Sequence, residues 1–235
     1  MNDKVSTGTK VLDTLLNGGF EKGIITTLYG EAGSGKSNIM IISTMNSASY
    51  KKVAFVDTEG GFSVERASQI SKDYKQILKN IIVVAPTSFE EQKKALEEIK
   101  TIVKHEKIAL IAVDSIAMLY RLKRGSQEEI SETNREMAEQ LRTLSEIARK
   151  NDIPVVVTNQ VYTSFKTGDV NMVGGDLLKY WSKCIIKLEK HNNAIRKATI
   201  IKHRSLPTNK SIYFEIVDSG LKEIKEPKKR FSLFN

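Results

Sequence analysis

Residues 30–37 read Gly30-Glu31-Ala32-Gly33-Ser34-Gly35-Lys36-Ser37, a complete match to G-x-x-x-x-G-K-[ST]. The flanks constrain it further. Residues 24–29 are a short apolar, β-branched run that reads as a buried strand, and residues 37–42 open a helical run. Strand, glycine loop, helix is the order that aims successive backbone N–H groups and a helix N-terminus at a chain of phosphates. Lys36 is expected to reach the β- and γ-phosphates and Ser37 to hold Mg²⁺, with Asn38 completing the first turn. The chain is thus expected to bind a nucleoside triphosphate.

The rest of the pattern alternates apolar strands with amphipathic helices, which predicts an α/β fold with a mostly parallel, twisted sheet flanked by helices. Strands are expected at 53–56, 81–85, 108–113 and 155–157. A helical stretch is expected near 64–79, a helix opened by a capping box at Ser88-Phe89-Glu90-Glu91, and another over 134–150. From about residue 184 the grammar changes. Residues 184–188, 198–202 and 212–217 read as short strands separated by turns, an antiparallel extension of the core. The organisation expected is one domain over 1–226 with a loose basic tail at 227–235.

Asp114 closes the strand 108–113, where a carboxylate can hold the Mg²⁺ shell through water, although an aspartate there can also form a turn. Glu59, in Asp57-Thr58-Glu59-Gly60, closes the preceding strand edge. It is a candidate for orienting the water that attacks the γ-phosphate, and equally a turn residue without chemistry. Cys184 is the only cysteine, so no intrachain disulfide forms. No run of about 18 apolar residues is present, and the N-terminus has no signal-like apolar region; a cytoplasmic protein without a membrane role is expected. The net charge is +9, and residues 176–235 hold 14 Lys/Arg against 6 Asp/Glu, a local +8. That placement predicts a basic surface toward an anionic partner such as nucleic acid.

Several ordered motifs carry a resemblance to the RecA-like recombinase family. Ser6-Thr7-Gly8, Gly18-Gly19 and Gly23-Ile24-Ile25-Thr26 resemble the segment that opens its core. Asp57-Thr58-Glu59-Gly60 with Glu65-Arg66 resembles its D-T-E-G…E-R segment, Thr158-Asn159-Gln160-Val161 its T-N-Q-V strand end, and Val173-Gly174-Gly175 the close of its second DNA loop. The resemblance implies ATP as the nucleotide, Glu59 as the water-activating glutamate, Arg66 against the adenine and Gln160 as the γ-phosphate sensor. It places the first DNA loop at 121–132, with Arg121, Lys123 and Arg124 as its basic part. The second falls at 162–173, with Tyr162, Phe165 and Lys166 as contacts.

The sequence opens at the core motif, without the helical domain and Phe-x-x-Ala linker of the strand-exchange recombinases. It is therefore most similar to the archaeal RadB branch of the family. That likeness implies DNA binding with single strands favoured, weak ATP hydrolysis, no strand exchange of its own, and a monomer or small oligomer. It also implies the main archaeal recombinase and a junction resolvase as partners. A signalling or remodelling ATPase of the KaiC type, acting without DNA, is the alternative. Lys202-His203-Arg204 ends a strand with two cations at alternate positions. The segment is read as part of the DNA surface, or as a K-x-K-like reach toward a neighbour's γ-phosphate, or as an exposed strand end. Trp181 beside Tyr180 is read as packed rather than base-stacking.

Overall fold

The computed structural model of the chain describes residues 4–123, 127–163, 170–192 and 194–227. It begins with β1 (Lys4–Val5), α1 (Lys10–Leu16) and β2 (Phe20–Glu21), β1 and β2 pairing antiparallel. Then follow β3 (Ile25–Gly30), α2 (Lys36–Ala48), β4 (Lys52–Asp57), α3 (Val64–Ile70), α4 (Tyr74–Leu78), β5 (Ile81–Val84), α5 (Phe89–His105) and β6 (Ile108–Asp114). The chain continues through α6 (Met118–Leu122), α7 (Gln127–Asn151), β7 (Val155–Asn159), β8 (Val161–Thr163), β9 (Val170–Met172) and α8 (Gly175–Trp181). It closes with β10 (Cys184–Lys190), β11 (Ile195–His203), β12 (Ser211–Val217) and β13 (Gly220–Ile224).

Nine strands form one sheet in the order β13-β12-β11-β10-β3-β7-β6-β4-β5. The six strands from β10 to β5 run parallel, and β11 to β13 add on antiparallel. Helices cover both faces, so β6 and β7 are buried along their whole length and read as continuous apolar runs. Alternation sorts β6 between the two faces. Ile111 and Val113 join Leu96, Ile99, Leu141 and Leu144 of α5 and α7 on one side. Leu110 and Ala112 join Leu12, Leu15, Ile39 and Met40 of α1 and α2 on the other. Parallel register then brings the carboxyl ends of the central strands into line, with Asp57 opposite Asp114, Tyr29 opposite Asn159 and Leu188 opposite Gly30. Ligand sites of such sheets lie along that edge.

Two readings of the sequence need correction. The stretch 64–79 is two helices, because Ser71 is extended and its hydroxyl accepts the Asp73 N–H at 3.2 Å, a local turn that competes with the helix. The strand from Cys184 is antiparallel on one side only, toward β11. The crossover through α8 lays β10 parallel to β3, and the antiparallel part begins at β11 and includes β13, which the periodicity did not reveal. The capping box at Ser88 forms and reaches one residue further back. The Ser88 hydroxyl accepts the Glu91 N–H at 3.1 Å, and the Glu91 carboxylate accepts the Ser88 N–H together with the N–H and hydroxyl of Thr87 at 2.7 and 2.8 Å. Within the tail expected at 227–235, residues 228–235 lie outside the described part.

Candidate nucleotide site and nucleic-acid interface

The glycine loop leaves β3 at Gly30 and enters α2 at Lys36. Two of its glycines are required by geometry. A Cβ on Gly30 would stand 2.1 Å from the Leu188 carbonyl oxygen, and Gly35 caps α2 at φ +103. Lys36 is buried and donates to the carbonyls of Gly30 and Glu31 at 2.8 and 2.9 Å. Burial lowers its pKa, while Asp114 and Glu59 pull the other way. The Ser34 hydroxyl is buried without a protein partner, a polar atom facing a loop built to hold something.

Asp114 closes β6 and is buried, and the peptide bond to Ser115 is cis. Its carboxylate accepts from the Thr158 hydroxyl and from Ser37, which oppose but do not overcome the upward push of burial on its pKa. A hydroxyl beside a buried carboxylate, next to a loop of backbone donors and one ammonium, fits Mg²⁺ carried on a triphosphate. Magnesium keeps its waters and takes one or two carboxylates rather than a full protein cage. Ser37 would hold the ion directly and Asp114 through water.

Asp57, which the sequence offered only as part of a motif, organises the next loop by accepting the N–H groups of Glu59, Gly61 and Phe62. Glu59 is thereby set at the sheet edge, where Ser115 donates its hydroxyl at 2.8 Å and Gln160 its amide at 3.1 and 3.3 Å. Ser115 is the partner that sequence reasoning missed; its only signal was the place after the strand-closing aspartate. Gln160 faces two ways, because its carbonyl accepts the Val173 N–H at 3.2 Å and Asn159 donates to the Val173 carbonyl at 2.8 Å. Those bonds close the base of the β8–β9 hairpin.

Arg66 donates to the carbonyls of Val217 and Asp218 at the β12–β13 turn and to the Gln69 side chain. It therefore pins α3 to the antiparallel extension beside the glycine loop. Lys190 at the end of β10 and Ile216 of the extension cover the loop's outer side, against Gly33 and Gly35 respectively.

The expected DNA residues separate into groups. Arg121 is exposed on α6, and Tyr162 is exposed on β8; with Tyr120, Ile130 and Thr133 they border a cavity of about 420 Å³. The structure thus brings the bases of both expected loops together. Lys123 is already engaged, ion-paired to Glu90 at 2.7 Å and Glu136 at 3.0 Å. Arg124, Phe165 and Lys166 lie outside the described residues. The 202–204 segment requires a correction. The His203 side chain is only 1% exposed and accepts the N–H groups of Ser205 and Leu206, so burial, which also lowers its pKa, removes it from any DNA surface. Arg204 pairs with the buried Glu21 at 2.6 Å, and Lys202 donates to the Lys179 carbonyl at 2.5 Å.

Arg204→Ala would leave Glu21 buried with only the Ser205 hydroxyl at 3.3 Å and a distant His203. The expected loss is about 2 kcal/mol of stability, seen as a lower urea midpoint at unchanged m-value. An unchanged midpoint would show that the ion pair does not contribute.

The model of the Rad51 family matches residues 3–224. The "DNA repair and recombination protein RadB" of Methanobrevibacter smithii is 42% identical over 228 residues, spanning 94% of this chain and 96% of its own length. The protein of the same name from Archaeoglobus fulgidus is 39% identical over 217 residues, covering 92% and 97%. A solved structure described as the RadB recombinase superposes with a TM-score of 0.78 at 36% identity, over 94% of this chain and 99% of that one. With its glycine loop, Glu59 edge and hairpin base arranged on that shared fold, the chain belongs to the RadB group of the Rad51 and RecA-like recombinase family.

Proposed function

We propose that the chain is an ATP-binding, DNA-binding accessory factor of DNA repair and homologous recombination, with weak ATPase activity and no strand exchange of its own. Magnesium-bound ATP would supply a γ-phosphoryl group open to attack by water. Lys36, Ser34 and the loop N–H groups would hold the phosphates, and Glu59 would orient the water. One observation supports the reading most. Gln160 donates to Glu59 while its own carbonyl closes the hairpin that frames the expected second DNA loop. A change at the γ-phosphate end is thus one residue away from the loop base, which gives ATP a physical route to DNA affinity. Protein partners of the kind the resemblance implies, the main recombinase and a junction resolvase, belong to the same proposal.

The test is single-strand affinity, measured by anisotropy with ATP and with ADP, in the wild type and in Gln160→Ala. The wild type is expected to bind with a log–log salt slope of roughly −2 to −4, for three to five phosphate contacts, and to distinguish the two nucleotides. Gln160→Ala is expected to bind equally with either. Absence of DNA binding at low salt would instead favour the signalling type of ATPase.

Within the expected first loop, Arg121→Ala is expected to weaken binding severalfold and flatten the salt slope by about 0.7, the share of one phosphate contact. Lys123→Ala is expected to stay within about twofold of wild type, because its ammonium already faces two carboxylates. Equal losses from the two variants would show that DNA displaces those ion pairs.

A further inference from the structure

We propose that the cleft between α7, α8 and the starts of β3 and β10 is a second binding site, for single-stranded nucleic acid, separate from the loops described above. It rests on the reading that the chain binds DNA. The cleft has a volume of about 370 Å³ and is bordered by residues 23–25 and by Arg149, Tyr180, Trp181, Lys183 and Arg204.

Its aromatic edge is unusual. Tyr180 is 72% exposed, the highest value among the described large hydrophobic residues that face solvent. Trp181 is half-buried against the core, and the two rings meet edge to face at 5.5 Å. One ring is therefore anchored and the other projects beside a cavity, the arrangement on which an unstacked base can lie.

Of the three cations that border the cleft, Arg204 is paired to Glu21 and two remain. Arg149 and Lys183 are both exposed, and among the described residues neither is paired with a carboxylate. The nearby acids are engaged: Glu21 holds Arg204, Asp176 lies 3.7 Å from Lys179, and Asp152 lies 3.5 Å from Lys22. Cations beside an aromatic platform are what a flexible phosphodiester with accessible bases requires. A cleft of this volume has room for a base, whereas a duplex keeps its bases stacked and unavailable.

Position separates this site from the nucleotide edge. Cys184 pairs with Thr26 at the cleft end of the sheet, and Leu188 pairs with Gly30 at the glycine-loop end. The length of β3 puts roughly 17 Å between the two ends. A second strand contact at that distance would let one molecule hold two stretches of single strand, or one long stretch at two points.

Trp181 is the only tryptophan in the chain, so its emission reports this cleft directly. The experiment titrates the full chain with fluorescein-labelled dT15, reading label anisotropy in one series, and with unlabelled dT15, reading tryptophan emission in another. Saturable quenching is expected, with a midpoint raised about tenfold by Arg149→Glu together with Lys183→Glu, and with reduced amplitude in Tyr180→Ser. A 15-base-pair duplex is expected to quench little. Anisotropy that reports binding while tryptophan emission stays constant would overturn the proposal. Quenching indifferent to both variants, or equal with the duplex, would overturn it as well. Absence of binding in the anisotropy series would remove the DNA-binding reading itself, and this site with it.

Discussion

Lys36→Ala is expected to lower ATP affinity by about 10²-fold or more while leaving the fold in place. The ammonium is the one side-chain cation that enters α2 directly from the glycine loop, and charge-assisted bonds to phosphate are worth about 1.5–3 kcal/mol each. The cost to the fold is small for two reasons. Of the two carbonyls that Lys36 serves, that of the exposed Glu31 has solvent at hand, and only the buried Gly30 carbonyl loses a partner. Removing a buried ammonium also relieves the desolvation that lowers its pKa. Calorimetry with ATP and Mg²⁺ measures the first effect, and a thermal scan without nucleotide measures the second. Unchanged ATP affinity would refute the assignment of the loop. A large fall in thermal stability would mean that Lys36 serves the fold more than the ligand.

The parts of this site that could be read from sequence are the local ones. The glycine loop, its strand and its helix are contiguous, and their chemistry depends on spacing within eight residues. Asp114 could be found because a buried strand announces its own end. What could not be read depends on contacts across the chain. The Ser115–Glu59 bond joins residues 56 apart, and Gln160–Glu59 joins residues 101 apart. Glu59 was therefore visible as a candidate but not as a held side chain.

The cations show the opposite error. Lys123 and Arg204 look alike in sequence, exposed basic residues near turns. Their partners Glu90, Glu136 and Glu21 lie on other elements, the last of them 183 residues away. Charge counting sees the surplus and not the pairing. Strand direction was hidden for a similar reason. The residues of β10 alternate and turn like an antiparallel strand, and only the crossover through α8 sets it parallel to β3.

If the chain hydrolyses ATP as proposed, the Ser115–Glu59–Gln160 arrangement predicts slow turnover. A water-orienting carboxylate is effective when it is free to accept a proton from water at the γ-phosphate. Glu59 instead accepts hydrogen bonds from two side chains, Ser115 and Gln160, which occupy oxygen lone pairs that an attacking water would use. Glu59→Gln keeps the size, and its amide can still bond to Ser115 and Gln160, so the loop held by Asp57 should not move. Nucleotide affinity is expected to remain within a few-fold of wild type, because no charge on the glycine loop is lost. Hydrolysis is expected to fall by about 10²-fold, the usual contribution of a positioned base. A slow enzyme gives little signal in the steady state, so the comparison calls for single-turnover conditions with excess protein and labelled ATP. A variant that hydrolyses at the wild-type rate would remove Glu59 from the chemistry and leave it as the strut between Ser115 and the hairpin base. Loss of nucleotide binding together with turnover would mean that the carboxylate shapes the loop rather than the water.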